Sequence, residues 1–113
     1  MAREIPRDDW QAYFEDFSRD QPDYLATMEI LGGEIGAETE AQGTRLAAIT
    51  YDRKDDIVVI GLDGAADAVA EEVERVIDKP LRITVDDDSG PGEISFEIED
   101  AEGIRTVLRL DRA

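Results

Sequence analysis

Apolar positions recur along this 113-residue chain at two periods, one helical and one extended, and the changes between them mark its elements. Near the N-terminus Trp10, Tyr13, Phe14 and Phe17 stand at i, i+3, i+4 and i+7, the spacing of one helix face. Pro6 suits the first helical position, and Asp8 and Asp9 suit the positive end of the helix dipole. The spacing predicts a helix over residues 6–19, broken by Asp20-Gln21-Pro22-Asp23. Tyr24 to Leu31 then places Tyr24, Ala26, Met28 and Ile30 on one face of a strand. Gly32, Gly33 and Gly36 suggest a turn or bulge, Ala37 to Ala41 a short edge strand or loop, and Gln42-Gly43-Thr44 a second turn.

The strongest extended signal is Arg45 to Leu62, where two runs rich in Ile, Val, Thr and Tyr flank the polar cluster Asp52-Arg53-Lys54-Asp55-Asp56. This reads as a β-hairpin at the sheet's centre, apolar on both faces. A three-residue loop at Arg53 to Asp55 would set Tyr51 opposite Ile57 and Ile49 opposite Val59. After Asp63-Gly64 the spacing of Ala66, Val69, Val73, Val76 and Ile77, with Glu71 four residues before Arg75, predicts a second helix from about Ala65 to Ile77. From Leu81 the period is two: Leu81, Ile83 and Val85, then Ile94, Phe96 and Ile98, then Ile104, Thr106, Leu108 and Leu110. The loop Ala101-Glu102-Gly103, with Gly last, sets Ile98 opposite Thr106, Phe96 opposite Leu108 and Glu99 opposite Arg105. The fold class expected is α+β. A curved antiparallel sheet or partly open small barrel of six to seven strands carries the N-terminal aromatic helix and a second helix after the central hairpin. Residues 1–113 form a single domain with an ordered core of about 6–110.

Composition narrows the chemistry. With 29 Asp and Glu against 12 Lys and Arg the net charge is −17, which repels nucleic acid and anionic membranes. The carboxylates are spread along the chain rather than gathered in one tail, which suits a surface adapted to a salt-rich cytoplasm; the competing reading is a docking surface for a basic partner. Cysteine and histidine are absent, so thiol chemistry, disulfides and the usual general base near neutral pH are excluded. No run approaches a membrane span or a signal h-region, and the expected location is cytoplasmic.

Two places carry candidate sites. Asp86, Asp88 and Glu93, in Asp86-Asp87-Asp88-Ser89-Gly90-Pro91-Gly92-Glu93, offer the oxygen ligands a hard cation needs. The loop is no EF-hand, since Pro91 stands where the invariant glycine belongs. The aromatic helix either packs on the sheet to close the core or docks in a partner's groove, with Trp10 and Phe14 as anchors. Carboxylates are so frequent that pairs of them signal no hydrolase, and the glycines precede no phosphate-binding helix. No cofactor is implied.

IPRDDW at residues 5–10, DFS at 16–18, ITYDRKDDIVVI at 49–60 and IEDAEGIRTVLRL at 98–110 resemble a family of small bacterial proteins catalogued only as a domain of unknown function. The resemblance implies one domain over nearly the whole chain and carries over no activity or site residue. The order of helix, strands and a YD-type hairpin also resembles Sm-like small β-barrels, loosely. That likeness would imply rings and RNA, and the charge opposes RNA. The functional expectation is a non-enzymatic protein-interaction or accessory module that binds a protein partner or itself. The alternative is a small-ligand or divalent-cation-binding barrel.

Overall fold

The structure, a computed structural model, describes residues 2–20, 23–32, 36–63, 73–87 and 92–112. Among these, the elements are β1 (Arg3–Glu4), a 3₁₀ turn (Arg7–Asp9), α1 (Trp10–Asp20), β2 (Tyr24–Gly32), β3 (Gly36–Asp52), β4 (Ile57–Asp63), β5 (Val73–Asp78), β6 (Pro80–Asp86), β7 (Glu93–Asp100) and β8 (Arg105–Arg112). The eight strands form one antiparallel sheet in the order β1-β6-β7-β8-β2-β3-β4-β5. The order is open, with β1 and β5 as the two edges.

The sheet is nonetheless rolled, because β5 runs directly into β6 while their ladders lie at opposite ends of it. Lys79 is the joint. Its N–H donates to the Asp56 carbonyl on the β4 side, and its carbonyl accepts from the Ala101 N–H on the β7 side, at 3.0 and 3.1 Å. A left-handed backbone at Lys79, φ +53°, makes the kink. The extents of 36 × 33 × 29 Å are those of a rolled sheet wrapped about a helix rather than of a flat slab.

One core fills the concave side. Trp10 and Phe14 are 1% and 0% exposed, and the core also takes Met28, Ile49, Val58, Ile60, Leu62, Ile77, Ile83, Val85, Phe96, Ile98, Leu108 and Leu110. Tyr13, Phe14 and Phe17 all pack their rings on Phe96 of β7, while Trp10 meets Tyr51 of β3 edge-on at 5.2 Å. Helix α1 therefore spans the mouth of the rolled sheet. The expected helix divides into a 3₁₀ turn and an α-helix, and its aromatic stripe closes the core.

β3 changes partner along its length. Residues 36–45 pair with β2 and residues 45–52 with β4. Where β2 stops, Ser18 of α1 takes over: its hydroxyl donates to the Ile49 carbonyl at 2.7 Å and accepts from the Ile49 N–H at 3.3 Å. Gly43, at φ +66°, lies where two residues of β3 face one of β2, so it marks a bulge inside one strand and not a turn between two. A further register shift, at Ala47, turns both Leu46 and Ile49 inward, whereas strict alternation would separate them.

The central hairpin forms with a register one step from that expected. Tyr51 faces Val58 and Ile49 faces Ile60, because the loop holds four residues and not three. Asp52 accepts from the backbone N–H groups of Lys54 and Asp55, and Asp56 closes the loop at φ +52°. Nor is the hairpin central: β8 and β2 are the middle strands, and the second face of β4 is only half-buried.

The second helix is corrected where the structure describes it. Residues 73–78 are strand β5, and residues 64–72 lie outside the described residues. The β-branched Val73, Val76 and Ile77 fit a ladder on β4, and Glu74, Val76 and Asp78 form its exposed face. The last hairpin has the predicted register, Ile98 to Thr106, Phe96 to Leu108 and Glu99 to Arg105, with Gly103 at φ +82°.

Candidate functional site

The run of residues 73–86 leaves two half-edges that no neighbouring long strand covers. On the β6 half, the N-terminal segment fills the space. β1 pairs Arg3 with Val85 and Glu4 with Thr84, and the Ile5 N–H donates to the Ile83 carbonyl at 2.8 Å. Arg7 then reaches three places at once. Its guanidinium donates to the Pro80 carbonyl at 2.7 Å, to the Asp56 carboxylate at 3.2 Å and, weakly, to the Tyr51 hydroxyl at 3.5 Å. It also lies 4.4 Å from the Trp10 ring centre. The Trp10 indole N–H donates to the Ile5 carbonyl, and the Tyr51 hydroxyl to Asp56 at 2.7 Å. Burial, followed by the hydrogen bond to Asp56, raises the Tyr51 hydroxyl above the usual phenol range. Every polar atom named here has a protein partner, which is the arrangement of a structural latch.

The β5 half is different. Among the described residues β5 pairs with β4 alone. Its other side borders a groove of about 350 Å³ between Arg75, Val76, Asp78 and Lys79 on one wall and Asp100, Ala101, Glu102 and Ile104 on the other. The Ala101–Lys79 hydrogen bond closes one end. Val76 is 46% exposed, one of three large apolar side chains so placed among the described residues. The Arg75 Nε is buried without a hydrogen-bond partner among the described residues. A buried donor with no acceptor costs about 1–3 kcal/mol, more when charged, so it asks for an explanation in a way an exposed arginine does not. The opposite wall is held firm by Asp100, whose Oδ1 accepts from the N–H groups of Glu102 and Ile104 at 2.9 and 3.0 Å.

On the outer face Arg82 meets Glu4, Arg105 meets Glu97, Arg109 meets Glu29 and Arg3 meets Asp87. Arg105 thus pairs diagonally with Glu97 rather than with Glu99 opposite. A concavity of about 480 Å³ beside the hairpin turn is lined by Gln11, Thr50, Tyr51, Asp52, Arg53 and Lys54, all but Tyr51 exposed or half-buried.

The residues predicted from sequence are dispersed through this architecture. Trp10 and Phe14 are core residues, so as docking anchors they are unreachable unless α1 leaves the sheet. Of the cation candidates, Asp88 lies outside the described residues. Asp86 faces Ser95 and Glu93 faces Asp111 along the ladders, and no group of three potential ligands gathers among the described residues. Sequence reasoning missed the β5 edge. Its signal was the β-branched Val73, Val76 and Ile77 with alternating Glu74 and Asp78, immediately before Pro80. No described helix is long and apolar enough to cross a membrane.

Comparison with known proteins places the chain. It belongs to the "Family of unknown function (DUF5335)", whose model matches residues 1–113. It is similar to an uncharacterized protein of Aquifex aeolicus (strain VF5), 30% identical over 112 residues that cover 99% of this chain and 94% of the relative. No solved structure matches, so the Sm-like analogy rests on the sequence pattern alone.

Proposed function

We propose that this family member is a non-enzymatic interaction module that accepts an extended segment of another protein along the uncovered side of β5. The observation that carries the reading is that β5 has its ladder occupied on one side among the described residues and borders a groove of about 350 Å³ on the other. An added strand satisfies the edge strand's remaining N–H and C=O groups. Its side chains alternate, so one set lies against the exposed face that carries Val76.

Two measurements test this. In the free protein, amide hydrogen exchange along β5 should show alternation, with amides paired to β4 slow and the others fast. Uniform protection across residues 73–78 would mean that the edge is already covered, and the reading would fail. A photo-crosslinking residue replacing Val76 in cells of the native host should form a discrete adduct, mapped to an extended stretch of one partner. The same residue replacing the exposed Leu25 on β2 should not. Equal labelling from both positions, or none from position 76, overturns the proposal.

A further inference from the structure

The charges around the groove define its occupant more closely, given the reading of β5 as a docking edge, on which this inference rests. The exposed face of β5 presents Glu74, Val76 and Asp78 in sequence, an apolar side chain between two carboxylates. Glu102 stands on the far wall, and Asp100 beside it is already engaged by backbone N–H groups. The cations at the groove are Lys79, exposed beside Asp78, and Arg75, half-buried with its Nε out of contact with solvent. The exposed charges at the rim are thus Glu74, Asp78 and Glu102 against Lys79, a set that is acidic on balance.

From this arrangement we infer that the occupant is a basic extended segment of a partner protein, with the pattern basic-x-apolar-x-basic. Directly opposed side chains of paired strands lie about 4.5–5.5 Å apart at Cβ. In that register the two basic residues face Glu74 and Asp78, and the apolar residue covers Val76. The residues between them turn to the opposite face of the added strand. A second copy of this chain is a poor occupant. Antiparallel self-pairing centred on Val76 would set Glu74 against Asp78, on two bodies that each carry a net charge of −17. Like charges directly opposed destabilise a ladder.

The test uses the full chain and short synthetic peptides whose central sequences are KTVTK, its acidic counterpart ETVTE, its neutral counterpart QTVTQ and the scramble KKTTV, titrated at 0.15 M KCl with amide NMR as readout. KTVTK should shift the amides of residues 73–78 and 100–104 and bind at least about tenfold more tightly than the other three. The variant Glu74→Lys with Asp78→Lys should invert the preference toward ETVTE, which a general attraction of cations to an acidic protein would not do. If ETVTE or QTVTQ matches KTVTK while shifting the same amides, the inference about charge is wrong and the docking edge stands. If no peptide shifts residues 73–78, or the scramble shifts them equally, the docking edge itself is wrong. A concentration-dependent dimer in sedimentation, abolished by Val76→Lys, would identify a second copy as the occupant and overturn the basic partner.

Discussion

Along residues 73–86 the same run of strand meets opposite treatment in its two halves. The β6 half has Arg3 to Arg7 laid along it, with a salt-linked guanidinium, an indole N–H and a phenol all satisfied within the fold. The β5 half borders a groove and, among the described residues, has no strand on its second side. An unpaired sheet edge is a template for pairing with another chain. Here the fold closes one such template with its own N-terminus and leaves the other bordered by carboxylates. The contrast separates residues that hold the fold from residues free to serve a partner.

The largest effect should come from the element that closes the core over both halves. Phe14→Ala removes a fully buried ring that packs on Phe96, and the loss should be about 3–5 kcal/mol in denaturant unfolding. A variant of native stability would return α1 to the role of a docking helix. Next comes the latch. Arg7→Ala forfeits the part-buried bond to the Pro80 carbonyl and the contact with Trp10, while its half-exposed ion pair with Asp56 adds little. The expected loss is about 1–3 kcal/mol. Amide exchange should quicken at Ile5 and spare β5. Faster exchange at β5 as well would show that the two half-edges are one cooperative unit.

The phenol of the latch gives the sealed half a pH signature. Tyr51 in the fold holds its proton above the usual phenol pKa of about 10, through burial first and the Asp56 hydrogen bond second, with Arg7 opposing. The fold therefore binds this proton more tightly than the unfolded chain. Its contribution is complete below about pH 10 and is lost as pH rises through the raised folded value. Tyr13 is raised by burial as well, so the comparison must be made against Tyr51→Phe. That variant should lose about 1 kcal/mol at neutral pH and show a shallower fall in urea midpoint above pH 10. Parallel slopes would mean that Tyr51 is not linked to folding.

How much of this was legible in the sequence depends on how far each element depends on tertiary context. The last hairpin was legible to the residue, since Gly103 fixes the loop and period-two alternation fixes the register. The aromatic stripe of α1 was legible as core because four rings on one face are too much apolar surface to leave wet. The bulges at Gly43 and Ala47 were not, because a bulge depends on what two strands must both bury. Residues 73–77 were read as helix because the apolar positions from Ala66 to Ile77 and the pair Glu71 and Arg75 recur at helical spacing along the sequence. The site was illegible for the same reason: an edge is defined by the neighbour a strand lacks, and sequence period does not report neighbours. Glu74, Asp78 and Arg75 were visible as charges, and only the strand assignment shows that Glu74 and Asp78 share the exposed face while Arg75 turns to the other.

Salt should sharpen the contrast further. Raising ionic strength from 0.01 to 1 M shortens the screening length from about 30 to about 3 Å. It weakens the ion pairs of the sealed half, Arg3 with Asp87 and Arg82 with Glu4, and also the general repulsion among carboxylates. With a net charge of −17 the repulsion should dominate, and the melting temperature should rise with KCl. A falling melting temperature would mean that the sealing ion pairs outweigh it.

The smallest effect on stability is the most informative about function. Val76 is 46% exposed on the open half, so Val76→Lys should change unfolding free energy by less than about 0.5 kcal/mol. The substitution adds a charge between Glu74 and Asp78, which relieves local like-charge crowding while it repels the basic segment inferred to dock there. Peptide binding should therefore fall severely in a variant that melts as the parent does. Arg7→Ala should behave in reverse, with weakened folding and binding retained below its melting temperature. If instead Val76→Lys unfolds the protein, β5 is covered by the chain itself and both half-edges belong to the fold. If it neither unfolds the protein nor weakens binding, the partner reads a different surface.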